Sequence, residues 1–225
     1  LEYNVWMICY TVPVDTAQKD YEFIRRYELI FMGSFCALVA ILVLYIAFRN
    51  KEENEKLVHC AQMDALTGLY NKENTQKVID STLDTMNNKA FSGFMILDMD
   101  YFKEINDTFG HAVGDKVLQA FGGLLQSQFR DQDVVGRIGG DEFVVFLYDI
   151  GSEKNMEQRV MNLQQRIKAL DIPEIKGHKL TSSAGIAFAP KDGENFMELY
   201  RRADNALYQV KRGGRDGYAV YEKLK

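Results

Sequence analysis

"RIGGDEFVVF", residues 137–146, sets two glycines and two carboxylates between two apolar runs. Gly-Gly and Gly-Asp are ordinary hairpin turn chemistry, so the stretch reads as a β-hairpin with Asp141 and Glu142 at its tip. A surface turn tolerates any charge, so a role for these acids depends on what else in the chain meets them. Upstream, "FSGFMILDMD" (91–100) is a strand whose apolar residues lead directly into Asp98 and Asp100. If that strand is central and pairs beside the hairpin, its end and the hairpin tip meet at one edge, where Asp98 and Asp141 can share a cation. A hard ion such as Mg²⁺ prefers oxygen ligands and keeps contacts to substrate phosphates, so the pair suits a nucleotide-metal site. Gly139 and Gly140 let backbone approach a phosphate without a Cβ clash.

The rest of the region from Asp64 onward reads as one compact domain without internal repeats or low-complexity segments. A helix is predicted from Asn71 toward Asn87, its apolar face broken by Asn74 and Gln76. "GDKVLQAFGGLLQSQF" (114–129) is an amphipathic helix, followed by strands over 133–138 and 143–147. Residues 157–170 read as a helix, "KLTSSAGIAFA" (179–189) as a strand, "NFMELYRRADNALYQVKR" (195–212) as a helix and "GYAVY" (217–221) as a closing strand. The β–α–β–β–α–β order, with helices over a sheet, suits an α+β palm of the ferredoxin-like kind.

Composition narrows the partners. With 225 residues, 47% of them hydrophobic, the chain can pack a sizeable core, and its net charge of −5 argues against a nucleic-acid binder. A phosphate ligand must therefore be met by local cations. Cys9, Cys36 and Cys60 are odd in number and lack a CxxC pair, and His59, His111 and His178 are scattered, so disulfide frameworks and nitrogen or sulfur metal sites are not indicated. The first residue is Leu, from which a fragment of a longer chain is expected.

Residues 29–48, "LIFMGSFCALVAILVLYIAF", carry no charge over a length that spans the roughly 30 Å hydrocarbon core as a helix, and read as a transmembrane segment. Arg25 and Arg26 precede it and Arg49 and Lys51 follow it, so flanking charge does not choose an orientation. Before it, "VWMICYTVPV" (5–14) is rich in β-formers and "DTAQKDYEFIRRYE" (15–28) is helical; together they resemble the last strand and exit helix of an extracytoplasmic, cache-type sensor. After it, "RNKEENEKLVHCAQMD" (49–64) has a thin apolar stripe through Leu57, Val58 and Ala61 and reads either as a signalling helix or as a solvated linker. The expected organisation is a sensor remnant at 1–28, a membrane helix at 29–48, a signalling helix or linker at 49–63 and the compact α+β domain at 64–225.

"GGDEF" at 139–143, "DALTGLYNK" at 64–72, "DMDYFKEINDTFGHAVGDKVL" at 98–118 and "RRADNALYQVKRGGR" at 201–215 together resemble the GGDEF family, the diguanylate cyclases, which condense two GTP into cyclic di-GMP with release of pyrophosphate. The resemblance covers Asp64 to the C-terminus. It implies that Asp98, Asp141 and the carbonyl of Met99 hold Mg²⁺ or Mn²⁺, two ions per active site, and that Glu142 is the base or a second metal contact. It implies guanine recognition by Asn106 and Asp115, and phosphate contacts from Lys103, Lys211 and Arg215. Arg130 and Asp133, in "RDQD", stand where the family has its RxxD inhibitory site for product cyclic di-GMP. Asp100 is expected to be structural. Asn71, Lys72 and Glu73 depart from the Asn-Arg-Arg of many members, which puts in doubt any role of those arginines here.

The same resemblance implies a homodimer, since each domain would hold one GTP, and a catalytic domain on the cytoplasmic side of a cell or inner membrane crossed once. The alternatives are an inactive module that senses GTP or cyclic di-GMP, and a cyclase that uses another nucleotide.

Overall fold

The computed structural model describes residues 14–86 and 90–222; over 14–20 and 52–60 only the helical backbone is described. Residues 5–13 of the segment read as a strand, and the side chains of the stripe positions Leu57 and Val58, lie outside what is described, while Val14 opens a helix instead. The chain divides into two units, residues 1–57 and 58–225.

Helix α1 runs unbroken from Val14 to Gln62; its segment Tyr21–Lys51 is long enough to cross a membrane and includes an 18-residue window with a mean hydropathy of 2.7. Its apolar side chains stand exposed, Phe31 at 71% and Leu44 at 69%, the reverse of what a helix buried in a soluble core would show.

The second unit is built on a five-stranded sheet in the order β2-β3-β1-β4-β5: β1 (Ser92–Met99), β2 (Val134–Gly139), β3 (Glu142–Leu147), β4 (Ser182–Ala189) and β5 (Gly217–Val220). All pairings are antiparallel except β4 with β5. The first four strands form the expected ferredoxin-like palm, with β1 at its centre. Strand alternation sorts the core. Met95, Leu97, Phe143 and Val145 pack toward α3 (Phe102–Phe109), α4 (His111–Gln128) and α5 (Glu153–Lys168). Phe94, Ile96, Val144 and Phe146 face α2 (Lys72–Thr85) and α6 (Phe196–Arg212).

Local chemistry places the helix starts. The side chains of Asn71, Ser152 and Asn195 each accept a backbone N–H three residues on, satisfying donors that a first helical turn leaves unpaired. The Ser152 cap sets the start of α5 four residues earlier than the apolar pattern suggested. α3, not foreseen, is a separate two-turn helix ended by Gly110, and Pro173–Ile175 forms a 3₁₀ turn. α6 lies very close on the sheet: a Cβ on Gly185 of β4 would come within 2.0 Å of the Ala203 carbonyl oxygen. Only glycine permits that approach, and it brings the side chains of α6 within reach of the strand ends.

Candidate active site

The site begins with register. Asp98, near the end of β1, lies directly opposite Glu142, the first residue of β3. The Met99 N–H donates to the Asp141 carbonyl at 3.2 Å, stitching the hairpin tip to the β1 edge. Two acids on facing strands and a third in the hairpin turn therefore converge. Asp98 and Glu142 both carry the parity of Ile96 and Val144, so their side chains project to the α6 side.

α6 meets them with donors. The Lys211 ammonium pairs with Asp98 Oδ2 at 2.7 Å, and the Tyr200 hydroxyl donates to Glu142 Oε1 at 2.5 Å. Burial raises the Asp98 pKa above the usual carboxylate range; the Lys211 hydrogen bond pulls the other way, and the charges of Asp141 and Glu142 add to the rise. Burial, then the bond to Glu142, also pushes the Tyr200 phenol well above its ordinary value, so it stays a donor at neutral pH. Neither Tyr200 nor its bond was foreseen from the sequence.

Asp98, Met99, Lys103, Asp141, Lys211 and Arg215 line one open groove, so six of the expected site residues are brought together. Tyr101 lines it too, held at φ 58°, with the Arg215 guanidinium over its ring at 4.9 Å from the centroid. Asn106 and Asp115 lie at the α3–α4 junction. A Cβ on Gly114 would sit 1.9 Å from Asn106 Oδ1, so glycine there is what lets the Asn106 side chain occupy its place beside α4. Asp115 is exposed on the first turns of α4.

Gly139 and Gly140 form the exposed tip. The Gly140 carbonyl accepts from Arg137 Nε at 2.9 Å and Nη2 at 2.8 Å, while Arg137 Nη1 pairs with Asp64 Oδ1 at 3.0 Å. Asp64 also accepts from the Thr67 N–H and hydroxyl at 2.9 and 2.7 Å. Burial opposes its ionisation, but these hydrogen bonds and the Arg137 charge outweigh burial and lower its pKa. The domain's first loop is thus tied to the β2–β3 hairpin, a connection the motifs alone did not reveal.

Asp100 is buried: Ser183 Oγ and Thr181 Oγ1 donate to it at 2.7 and 2.8 Å, and the Asp216 N–H at 3.1 Å. It is structural, as expected. Asp133 is also buried, its two oxygens accepting the N–H groups of Arg130 (3.0 Å) and Tyr148 (3.3 Å). Arg130 is exposed.

Among the described residues, no three His, Cys, Asp or Glu side chains form a ready-made metal cage. The chemistry of the acid edge nevertheless fits a hard divalent ion. Its donors are oxygens, and its crowded carboxylates are neutralised in part by Lys211, whose ammonium supplies a positive charge at the place where a cation would bind.

A five-stranded palm with two helical layers, whose acidic strand edge shares a groove with Lys103, Lys211 and Arg215, defines an α+β domain with charges of both signs gathered at one end of its sheet. The profile described as "Diguanylate cyclase, GGDEF domain" matches residues 61–217, and the chain belongs to the GGDEF family. It is 33% identical over 188 residues to the probable diguanylate cyclase DgcE of Escherichia coli, covering 81% of this chain and 17% of that protein. It is 34% identical over 165 residues to the cyclic di-GMP phosphodiesterase NbdA of Pseudomonas aeruginosa, covering 72% of this chain and 21% of that protein. The structure is similar to the GGDEF domain of DgcB from Caulobacter crescentus in complex with c-di-GMP, at a TM-score of 0.65 and 25% identity, covering 72% of this chain and 97% of that one. The chain therefore spans only a small part of the curated relatives named here.

Proposed function

We propose that this chain is a diguanylate cyclase anchored in a membrane. The observation that carries the reading is the register of Asp98 against Glu142, with Asp141 joined to Met99, beside a groove lined by Lys103, Lys211 and Arg215. Two GTP molecules, one on each of two facing domains, react twice. Each ribose 3′-hydroxyl attacks the α-phosphorus of the opposing GTP, loses its proton, and displaces pyrophosphate, giving cyclic di-GMP and two pyrophosphates.

Asp98, Asp141 and the Met99 carbonyl would hold Mg²⁺ or Mn²⁺, two ions per site, which when bound neutralise the triphosphate and polarise its phosphorus. The chain's own residues do the rest. Glu142 accepts the 3′-hydroxyl proton or completes the metal shell, Lys103, Lys211 and Arg215 bind phosphate oxygens, Gly139 and Gly140 let the backbone come close, and Asn106 and Asp115 address the guanine edge. Lys211 must exchange Asp98 for phosphate as substrate enters.

Because neither domain can close the ring alone, the enzyme is a homodimer. α1 gives it a means of pairing and a single membrane span, with residues before the span outside and the GTP-using domain in the cytoplasm. A cache-type sensor preceding the span would supply the signal. Arg130, exposed, and Asp133, the anchor of its turn, form the product-binding inhibitory site.

A second reading is favoured by the phosphodiesterase name carried by NbdA: a GGDEF domain that senses GTP or cyclic di-GMP without catalysis. Retention of Asp141 and Glu142 supports the enzyme. Incubation of the full chain with GTP or ATP and Mg²⁺, with product identification, distinguishes the two readings and also a cyclase of another nucleotide. Cyclic di-GMP from GTP alone is expected; no product, or a product from ATP, overturns the proposal.

A further inference from the structure

α6 reaches the acid edge from two points, and Lys211 is only one of them. Tyr200 lies eleven residues earlier on the same helix, about three turns and hence on the same face. From there its hydroxyl meets Glu142 Oε1 at 2.5 Å while Lys211 takes Asp98. The two donors thus converge on two acids that oppose each other across β1 and β3.

The Tyr200 ring is well anchored. It stacks on Phe196 at 5.7 Å between centroids with 26° between planes, and Phe196, buried, meets Phe94 edge-on at 5.5 Å. The hydroxyl is therefore fixed by the core rather than by the hairpin. Glu142 is different: it starts β3 at an exposed tip, and a glutamate side chain with three rotatable bonds samples several rotamers unless something holds it.

We propose that Tyr200 is a positioning residue for Glu142: its hydroxyl holds Oε1, so that the second carboxylate oxygen, Oε2, is kept in a single orientation at the acid edge opposite Asp98. The proposal rests on the reading of Glu142 as a contact to the metal or the attacking hydroxyl. It extends that reading to a residue outside every motif, which acts through Glu142 and touches no reacting atom. Donors that orient a ligating carboxylate commonly affect metal affinity about as strongly as a weak ligand does.

The test uses the full chain, wild type and Tyr200→Phe, which deletes one oxygen and keeps the ring stack, together with Glu142→Ala and the double variant. Thermal unfolding without nucleotide reports the contact. Tyr200→Phe should lower the midpoint when Glu142 is present and leave it unchanged when it is added to Glu142→Ala, whereas equal shifts in both overturn the proposal. Mn²⁺ uptake, followed by electron paramagnetic resonance with 3′-deoxy-GTP, which lacks the attacking hydroxyl, reports positioning. Tyr200→Phe should weaken Mn²⁺ binding about tenfold; a purely structural tyrosine would leave it unchanged, and that result overturns the proposal. Wild-type protein that takes up no Mn²⁺ with the nucleotide overturns the functional reading and this proposal together, while the unfolding comparison still reports whether the tyrosine–glutamate bond exists.

Discussion

Two sets of acids in this domain differ in how fully they are satisfied. At the strand edge, Asp98, Asp141 and Glu142 crowd together, and the donors shown to meet their side chains are Lys211 and Tyr200. At the inner positions, Asp100 accepts from two hydroxyls and a backbone N–H, and Asp133 from two backbone N–H groups, with the Arg159 guanidinium 4.0 Å away. A buried acid with a fixed donor at each oxygen is stable where it stands and holds loops together. Acids gathered with their charges unresolved are costly unless a cation or substrate completes them, which marks an edge built for binding.

The contrast can be broken most severely at Asp141. Asp141→Ala should reduce cyclic di-GMP synthesis by at least about 100-fold with little change in the unfolding midpoint; a variant that keeps wild-type activity removes Asp141 from the site. Asp100→Ala should act the other way, costing about 2–3 kcal/mol in chemical denaturation, because Ser183, Thr181 and the Asp216 N–H lose their acceptor. Asp100 activity loss without destabilisation would place it among the edge acids instead.

Arg137→Gln tests the tie between the first loop and the hairpin through its pH dependence. The folded pKa of Asp64 lies below its unfolded value near 3.8, so its stabilisation is present above that value and is lost as pH falls through the folded pKa. Unfolding free energy measured from pH 5 down to about 2 should therefore fall less steeply in the variant than in wild type. Parallel curves would show that Arg137 does not hold Asp64.

The smallest effect is expected at Asp98. Its folded pKa is raised, so ionisation costs stability as pH rises through that value. Without divalent ions, Asp98→Asn should unfold at a slightly higher temperature than wild type at neutral pH, and the gap should close in acid, where wild-type Asp98 is protonated. A lower melting temperature at neutral pH would mean that the Lys211 pair outweighs burial and the neighbouring acids together.

Much of the fold was legible. The apolar runs of β1, β3 and β4 and the amphipathic patterns of α4 and α6 are local properties, and local periodicity survives folding. α3 escaped because its Phe102, Ile105 and Phe109 sit inside a stretch read for its polar residues. The early start of α5 was signalled by Ser152 as a cap rather than by the apolar pattern. In the site, Asp98 and Asp141 could be nominated from the end of one apolar run and the tip of the hairpin, and Lys103, Lys211 and Arg215 through the family resemblance of the motifs that carry them. Tyr200 and the Arg137–Asp64 pair could not, since their partners lie 58 and 73 residues away.

By itself, the amino-acid order determined most of the elements, the family and the kinds of groups available, because backbone preference and hydrophobic period act over a few neighbouring residues. Only the tertiary structure decided which groups meet. The pairing of β1 with β3 and the seating of α6 against Gly185 bring together side chains far apart along the chain, and hydrogen bonds and charge interactions depend on distances in space.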